Sequence, residues 1–310
     1  MNTQSWALVV ATYKRHEMLL ACVQRALSQT RPPSQIVIVD ASPDHEEGCA
    51  LIAPHCENRG IPLLYVQAEV PSAAAQRNQG IALATAEVLF MIDDDSLLCP
   101  DAAEKVMRVY EADVHEQIAG VLMEQTESEP GHHDGAMALE HSAGGFLKRK
   151  RIGPRRLVTK TRLGKLLSRE VLLMSRERLF IPYTGDFPNL PVPQAVLDLG
   201  ARRVRLFTGC AMTYRRRVIG RVGFDAQLRG YCPAEDLDAS YRASQLGALV
   251  FLPGAKLRHV EAAAGRVKRR VATCLSVVNL ALFIREHAQD GRARAREFAL
   301  LVLRRLLGSC

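Results

Sequence analysis

Residues 88–95, VLFMIDDD, limit what this chain can fold into more tightly than any other stretch. Five apolar residues in an unbroken run have the pattern of a strand buried on both faces, and the run passes directly into three carboxylates. In an open parallel sheet the carboxyl edge is where ligands bind, because the loops leaving the strands form a crevice there. Three adjacent acids repel one another, and a bound divalent cation relieves the repulsion. The competing reading is a solvated turn that caps a helix beginning after Pro100. Ser96 or Asp101 would cap that helix without help from Asp93, Asp94 and Asp95.

The pattern around this stretch alternates. Residues 6–12 (WALVVAT) are expected as a strand, and residues 16–29 as a helix with Leu19, Cys22, Val23, Ala26 and Leu27 on one face. TRPPS breaks that helix, and IVIV at 36–39 is a second buried strand ending in Asp40. A helix opened by ASPD follows, then a strand at 61–67 and a helix at 72–85 with Ser72 as its N-cap. After the organising strand come a helix at 101–114 and a strand at 118–123. Strands and helices alternating at this size predict a parallel α/β sheet covered by helices on both faces.

Regular pattern is lost over about 124–204, too long a stretch for an ordinary connection. It returns with a strand at 205–214, a helix at about 235–246 and a strand at 249–252. From Arg266 onward two basic amphipathic helices are expected, split near Gly291. This divides the chain into a catalytic domain at 1–262, interrupted by the irregular insertion, and basic helices at 263–310.

A chain of 310 residues with 48% hydrophobic content can bury a full core. Its eight cysteines have no paired C-x-x-C spacing, which argues against a zinc ribbon or a secreted disulfide framework. With no cleavable leader pattern at the N-terminus, the expected location is cytoplasmic. The longest near-apolar segment, 271–284, is shorter than the roughly 20 residues a membrane-spanning helix needs.

The net charge of +8 is unevenly placed. Residues 148–165 hold nine basic side chains and no acid, and residues 266–310 hold ten basic and three acidic ones. These segments together carry +16, which leaves −8 on the rest of the chain. Almost no aromatic residues interleave the first basic segment, so nucleic acid is not expected as a partner. An anionic membrane surface, at the inner face of a cell membrane, suits both segments, and solvated helices packed on the catalytic domain are the alternative for the second.

Neither a dinucleotide-binding G-x-G-x-x-G nor a phosphate-binding G-x-x-x-x-G-K-[ST] loop is present. Several short stretches instead occur in a telling order: VVATYKR, IVIVDASPD, QRNQGIALATAEVLFMIDDDSLLCPD, TGCAMTYRR, GFDAQLRGYCPAEDLDASYR and the late His259. In that order they resemble the family 2 glycosyltransferases of GT-A fold, over about residues 6–262. The resemblance implies a metal-dependent, inverting transfer of a sugar from a nucleotide-diphosphate donor to a hydroxyl of a glycan or lipid-linked acceptor.

The resemblance also implies residue roles. Asp93 and Asp95 match a D-x-D motif, Asp93 toward ribose or metal and Asp95 on Mg²⁺ or Mn²⁺. Asp94 is the spacer, or with a one-residue slip a ligand itself. Thr12 and Tyr13 match the first nucleotide-contacting positions, with Arg15 adding charge there, and Asp40 matches an acid that bonds base or ribose. Arg77 matches an arginine facing the nucleotide, on the physical ground that guanidinium suits phosphate. Asp236 matches the general base that takes the acceptor's proton, and Glu235 orients it or the acceptor. His259 matches a late histidine that completes the metal shell. Each has an ordinary counterpart: an Asx-turn for Asp40, a solvated helix side chain for Arg77, dipole partners for the acids at 235 and 236, a structural imidazole for His259.

A sugar-1-phosphate nucleotidyltransferase is the alternative enzyme, but it would need a glycine-rich loop after the first strand, where TYKRHEM has none. A non-catalytic basic binding protein is the remaining alternative, and salt-dependent nucleic-acid binding would mark it.

Overall fold

The computed structural model describes residues 4–127, 188, 190–228, 233–260 and 269–287, with 295, 298, 299, 302 and 303. The charged segment at 148–165, His132, His133, Tyr231 and the split near Gly291 lie outside the described residues. Two compact units divide the chain: residues 1–135 with 187–272, and 136–186 with 273–310.

The first unit is built on a single sheet. Strand β1 (Trp6–Thr12) pairs in parallel with β2 (Gln35–Asp40) on one side and β4 (Val88–Met91) on the other, and β2 pairs in parallel with β3 (Leu63–Gln67). Their apolar residues explain the arrangement. Nothing in β1, β2 or β4 is more than slightly exposed apart from Ala11, which requires cover on both faces. Helix α1 (His16–Leu27) covers one face with Leu19, Cys22, Val23, Ala26 and Leu27, the five residues its periodicity picks out. Helices α2 (His45–Glu57) and α4 (Ala102–Ala112) pack into the same core through Ile52, Cys56, Val106, Val109 and Tyr110.

Helix α3 (Ala73–Leu83) lies on the opposite face, and Gly80 is its point of closest approach. A Cβ there would sit 2.6 Å from Val9 Cγ1 and 3.6 Å from Val39 Cγ2. Gly80→Ala is therefore expected to destabilise the fold by about 1–3 kcal/mol, overpacking outweighing the roughly 1 kcal/mol gained in helix propensity. Thermal unfolding checks this, and an unchanged or raised midpoint would show that α3 can move off the sheet without strain.

Beyond β4 the sheet becomes mixed, so that the whole is a mostly parallel sheet with helices on both faces, as the resemblance implies. Strand β8 (Met212–Arg215) runs antiparallel between β4 and β6 (Ile118–Thr126), and β6 pairs in parallel with β9 (Ala248–His259). Two short strands, β5 (Ser96–Leu98) and β7 (Arg202–Arg203), pair antiparallel with β9. The parallel wing obeys the sequence pattern, and the reversal comes from β8, whose partners lie far from it in the chain. Helix α5 (Gln194–Asp198) and β7 fall within the stretch expected to lack regular structure, and helix α6 (Arg216–Val222) follows β8.

Two strands depart furthest from their expected bounds. The strand expected at 205–214 begins only at Met212, because Phe207 leaves the strand path to stack on Tyr214 at 5.2 Å while its N–H donates to Ser240. The strand expected to stop at Leu252 runs on to His259, since residues 253–255 bulge out of register with β6 and pairing then resumes. Gly254 takes a positive φ of 87° in that bulge. Ser72 does sit at the N-cap of α3, but its hydroxyl donates to the Leu228 carbonyl and makes no side-chain cap bond.

Helix α8 (Arg269–His287) is the longest described stretch of the basic C-terminal region. An amphipathic helix was expected, yet Val271 and Val278 are exposed while Leu280, Phe283 and Ile284 on the other side are buried. Apolar residues thus occupy both sides, because the segment's leucines, valines and alanines recur more densely than one face can hold. No helix among the described residues is long and apolar enough to cross a membrane.

Candidate active site

The register of the parallel wing sets the site. Thr12 pairs with Asp40 and Asp40 with Gln67, so three strands end level at the carboxyl edge. Met91 is opposite Val9, which places Asp94, three residues on, at the height of Thr12. The chain leaves the sheet after Met91 and turns, Ser96 N–H closing on the Asp93 carbonyl at 3.0 Å. The three acids consequently occupy a turn, and the strand alternation expected to pair Asp93 with Asp95 is not what arranges them.

The turn itself separates the acids into two groups. Asp94 points inward: its Oδ2 accepts from Thr12 Oγ1 at 2.7 Å and its Oδ1 from Arg15 Nη1 at 2.8 Å. Burial pushes its carboxyl up to about 6 even though the Arg15 guanidinium pulls it down. Asp93 and Asp95 face the other way, toward His259. The pairing of β5 with β9 aligns Ser96 with His259, and Val260 N–H bonds the Asp95 carbonyl at 2.9 Å. This brings His259 Nε2 to 3.0 Å from Asp95 Oδ1 and 3.8 Å from Asp93 Oδ2.

One ligand atom from each of Asp93, Asp95 and His259 lies within 4.8 Å of the others. Burial alone would lower the His259 imidazole, but hydrogen bonds to Asp95 and Cys210 raise it to about 11. Without a metal the imidazolium thus supplies positive charge between the two acids. Two carboxylates and one imidazole are a donor set that suits Mn²⁺ and is less natural for Mg²⁺.

The second acidic centre opens helix α7 (Glu235–Ser244). Ala234, just before it, holds a left-handed φ of 75°, a conformation that a residue with a Cβ adopts only at a cost in energy. Asp236 Oδ2 accepts from Gly209 N–H at 3.2 Å and Oδ1 from Leu237 N–H at 2.9 Å. Enclosure raises its carboxyl above the usual range, against the pull of the Leu237 N–H and Arg77. Asp238 pairs with Arg242 one turn on.

Arg77 of α3 joins the two centres. Its Nη2 is 2.7 Å from Asp93 Oδ1, its Nη1 bonds Glu235 Oε1, and Nη2 also reaches the Gly209 carbonyl at 3.4 Å. The guanidinium lies over the Phe224 ring and the residue is only 5% exposed, so the solvated alternative does not describe it. Asn78 beside it exchanges two hydrogen bonds with the Phe224 backbone and pins that ring.

Asp40 is enclosed, being 0% exposed. Ser42 donates both its N–H and its hydroxyl to Oδ1, while Oδ2 takes the Tyr65 hydroxyl at 2.6 Å and lies 3.0 Å from His16 Nε2. It forms an Asx-turn, and a nucleotide could reach it only by displacing one of these groups. Tyr13 stands exposed at the same edge, and Lys14, at a positive φ of 54°, lies over its ring.

Sequence reasoning missed His16 and Tyr65, which reach Asp40 from separate elements, and Ser42, which lies in the same ASPD turn. It also missed Gln76, whose amide bridges the Thr12 and Val39 carbonyls, and Cys210, hydrogen-bonded to His259. Both lie inside stretches already singled out, QRNQG and TGCAMTYRR. Their neighbours were read and they were not.

Comparison with known proteins decides the family, for the model of glycosyl transferase family 2 matches residues 7–173. The chain belongs to that family. Among curated relatives, this family 2 chain is 32% identical over 117 residues to the glucosyl-dolichyl phosphate glucuronosyltransferase of Haloferax volcanii, covering 34% of each chain. It is 31% identical over 118 residues to the putative glycosyltransferase EpsH of Bacillus subtilis (strain 168), covering 35% of this chain and 31% of that one. It therefore spans about a third of the length of either relative.

Solved structures similar to it include mannosyltransferase PcManGT from Pyrobaculum calidifontis in complex with GDP-Man and Mn²⁺. That likeness has a TM-score of 0.55 at 13% identity and covers 94% of this chain and 66% of that one. S. aureus TarS 1–349 in complex with UDP-GlcNAc gives a TM-score of 0.54 at 13% identity, covering 97% and 72%. At such identities the likeness is one of fold, and the fold is that of the GT-A glycosyltransferases.

Proposed function

We propose that this chain is a metal-dependent, inverting glycosyltransferase that moves a sugar from a nucleotide-diphosphate donor to a hydroxyl of a glycan or lipid-linked acceptor. The observation that carries the reading is the convergence of Asp93, Asp95 and His259 at the edge where the parallel strands end. A divalent ion held by these three would supply positive charge against the departing diphosphate. Arg15 adds fixed positive charge beside them, engaged with Asp94 and 3.4 Å from Asp95.

Asp236 takes the proton from the acceptor hydroxyl as the new bond forms. Its hydrogen bonds from backbone N–H groups aim the carboxylate, and its raised proton affinity brings it nearer the working pH of a base. Glu235 is bound to Arg77, and Asp93 is shared between Arg77 and His259, which leaves Asp236 for this role. One base opposite one leaving group supports direct displacement, which inverts the anomeric centre. The relatives and solved structures bearing nucleotide-sugar or dolichyl-phosphate names support the donor and acceptor classes. The basic segments support an anionic membrane as the place of action.

A thermal-shift panel of UDP, GDP, dTDP and CMP, with and without Mn²⁺, tests this reading. One nucleoside diphosphate is expected to raise the unfolding midpoint in the presence of Mn²⁺ and much less without it. A panel in which no nucleotide shifts the midpoint under either condition would contradict the reading.

A further inference from the structure

We propose that Arg77 is a positioning residue through which cation binding on the donor side governs the base-bearing helix on the acceptor side. The proposal rests on the metal and base roles above and goes beyond them. Arg77 divides one positive charge between two acids that would otherwise belong to separate tasks: Nη2 bonds Asp93 and Nη1 bonds Glu235. Glu235 Oε2 is buried and makes no hydrogen bond among the described residues, so Arg77 is the cation that stabilises this carboxylate. Gly209 lies between the same partners, its carbonyl accepting from Arg77 Nη2 and its N–H donating to Asp236 Oδ2. An unbroken set of contacts thus runs from Asp93 through Arg77 to Glu235, Gly209 and Asp236.

The direction of the coupling follows from charge. Asp93 has one negative charge to share, and Arg77 competes for it with anything bound between Asp93, Asp95 and His259. A divalent cation draws the Asp93 charge away, and the guanidinium then rests more fully on Glu235 and Gly209. That fixes the first turn of α7 and with it Asp236. An arginine held in this way is poorly placed to greet a nucleotide, because a diphosphate would have to strip donors already committed to Asp93, Glu235 and Gly209 on a buried side chain.

The unmodified chain and three variants, Arg77→Gln, Glu235→Gln and the double variant, test the proposal. Mn²⁺ binding, UDP and GDP binding, turnover and thermal stability are measured on each. Arg77→Gln is expected to bind Mn²⁺ at least as tightly as the unmodified chain, because a competitor for Asp93 is gone. It should bind the nucleoside diphosphate within about 3-fold and lose turnover by roughly 100-fold, as when a base is misplaced. The double variant should regain much of the stability lost in Arg77→Gln, since the neutral amide that replaces the Glu235 carboxylate needs no cation.

A tenfold or greater loss of diphosphate binding in Arg77→Gln, with Mn²⁺ binding unchanged, would make Arg77 a nucleotide contact and overturn the proposal. Stability losses that simply add in the double variant would overturn it too. Should Arg77→Gln not fold, Arg77→Lys replaces it: one ammonium cannot serve both acids, so turnover must fall while Mn²⁺ binding holds. An unmodified chain that binds no Mn²⁺ would defeat the metal reading, whereas the stability cycle would still judge the link between Arg77 and Glu235.

Discussion

Asp236→Asn is expected to lower turnover by about 10²- to 10⁴-fold, the range for loss of a positioned general base. Asparagine keeps the shape of the side chain, and its one carbonyl oxygen can accept from either the Gly209 N–H or the Leu237 N–H, though not from both as the carboxylate does. One of the two backbone bonds at the start of α7 is then lost, at a cost of about 1 kcal/mol in stability, while the other keeps the side chain in place. Nucleotide and Mn²⁺ binding should match those of the unmodified chain. Steady-state turnover beside a binding measurement on the same sample checks this, and turnover within a few-fold of normal would remove Asp236 as the base.

Asp95→Asn is the second large effect. Asp95 is almost fully buried, bonds His259 Nε2 at 3.0 Å and lies 3.4 Å from Arg15. Its loss takes one hard oxygen from the metal set and the closest carboxylate from His259. With a metal worth several kcal/mol to the developing charge on the leaving group, turnover should fall by roughly 10³-fold. Added Mn²⁺ should restore part of the activity, because Asp93 and His259 remain. Activity that is normal and independent of added metal would show that fixed cations such as Arg15 carry the leaving group alone.

What could be read from the sequence and what could not divide along a physical line. The buried face of α1 follows from periodicity, and the strand leading to Asp93 follows from an apolar run, because each depends on residues adjacent in the chain. The approach of His259 to Asp95 depends on β9 continuing through a bulge at 253–255, which in sequence looks like a strand end. Arg77 is polar and on a helix, features that predict exposure. It is buried because Asp93, Glu235 and Phe224 converge on it from three separate parts of the chain. Asp40 was legible as a turn former from ASPD, but its enclosure by His16, Ser42 and Tyr65 was not. Local pattern therefore identified the acids, and long-range pairing determined which of them face one another.

Central to the proposed chemistry is one divalent ion held by Asp93, Asp95 and His259 at the carboxyl edge of the sheet. Pulsed electron paramagnetic resonance on the Mn²⁺-loaded chain tests it most directly. The expected result is ¹⁴N coupling from a single imidazole in the unmodified protein, and its disappearance in His259→Gln with Mn²⁺ still bound through the two carboxylates. Coupling that survives the substitution, or no Mn²⁺ bound in the unmodified chain, would contradict it.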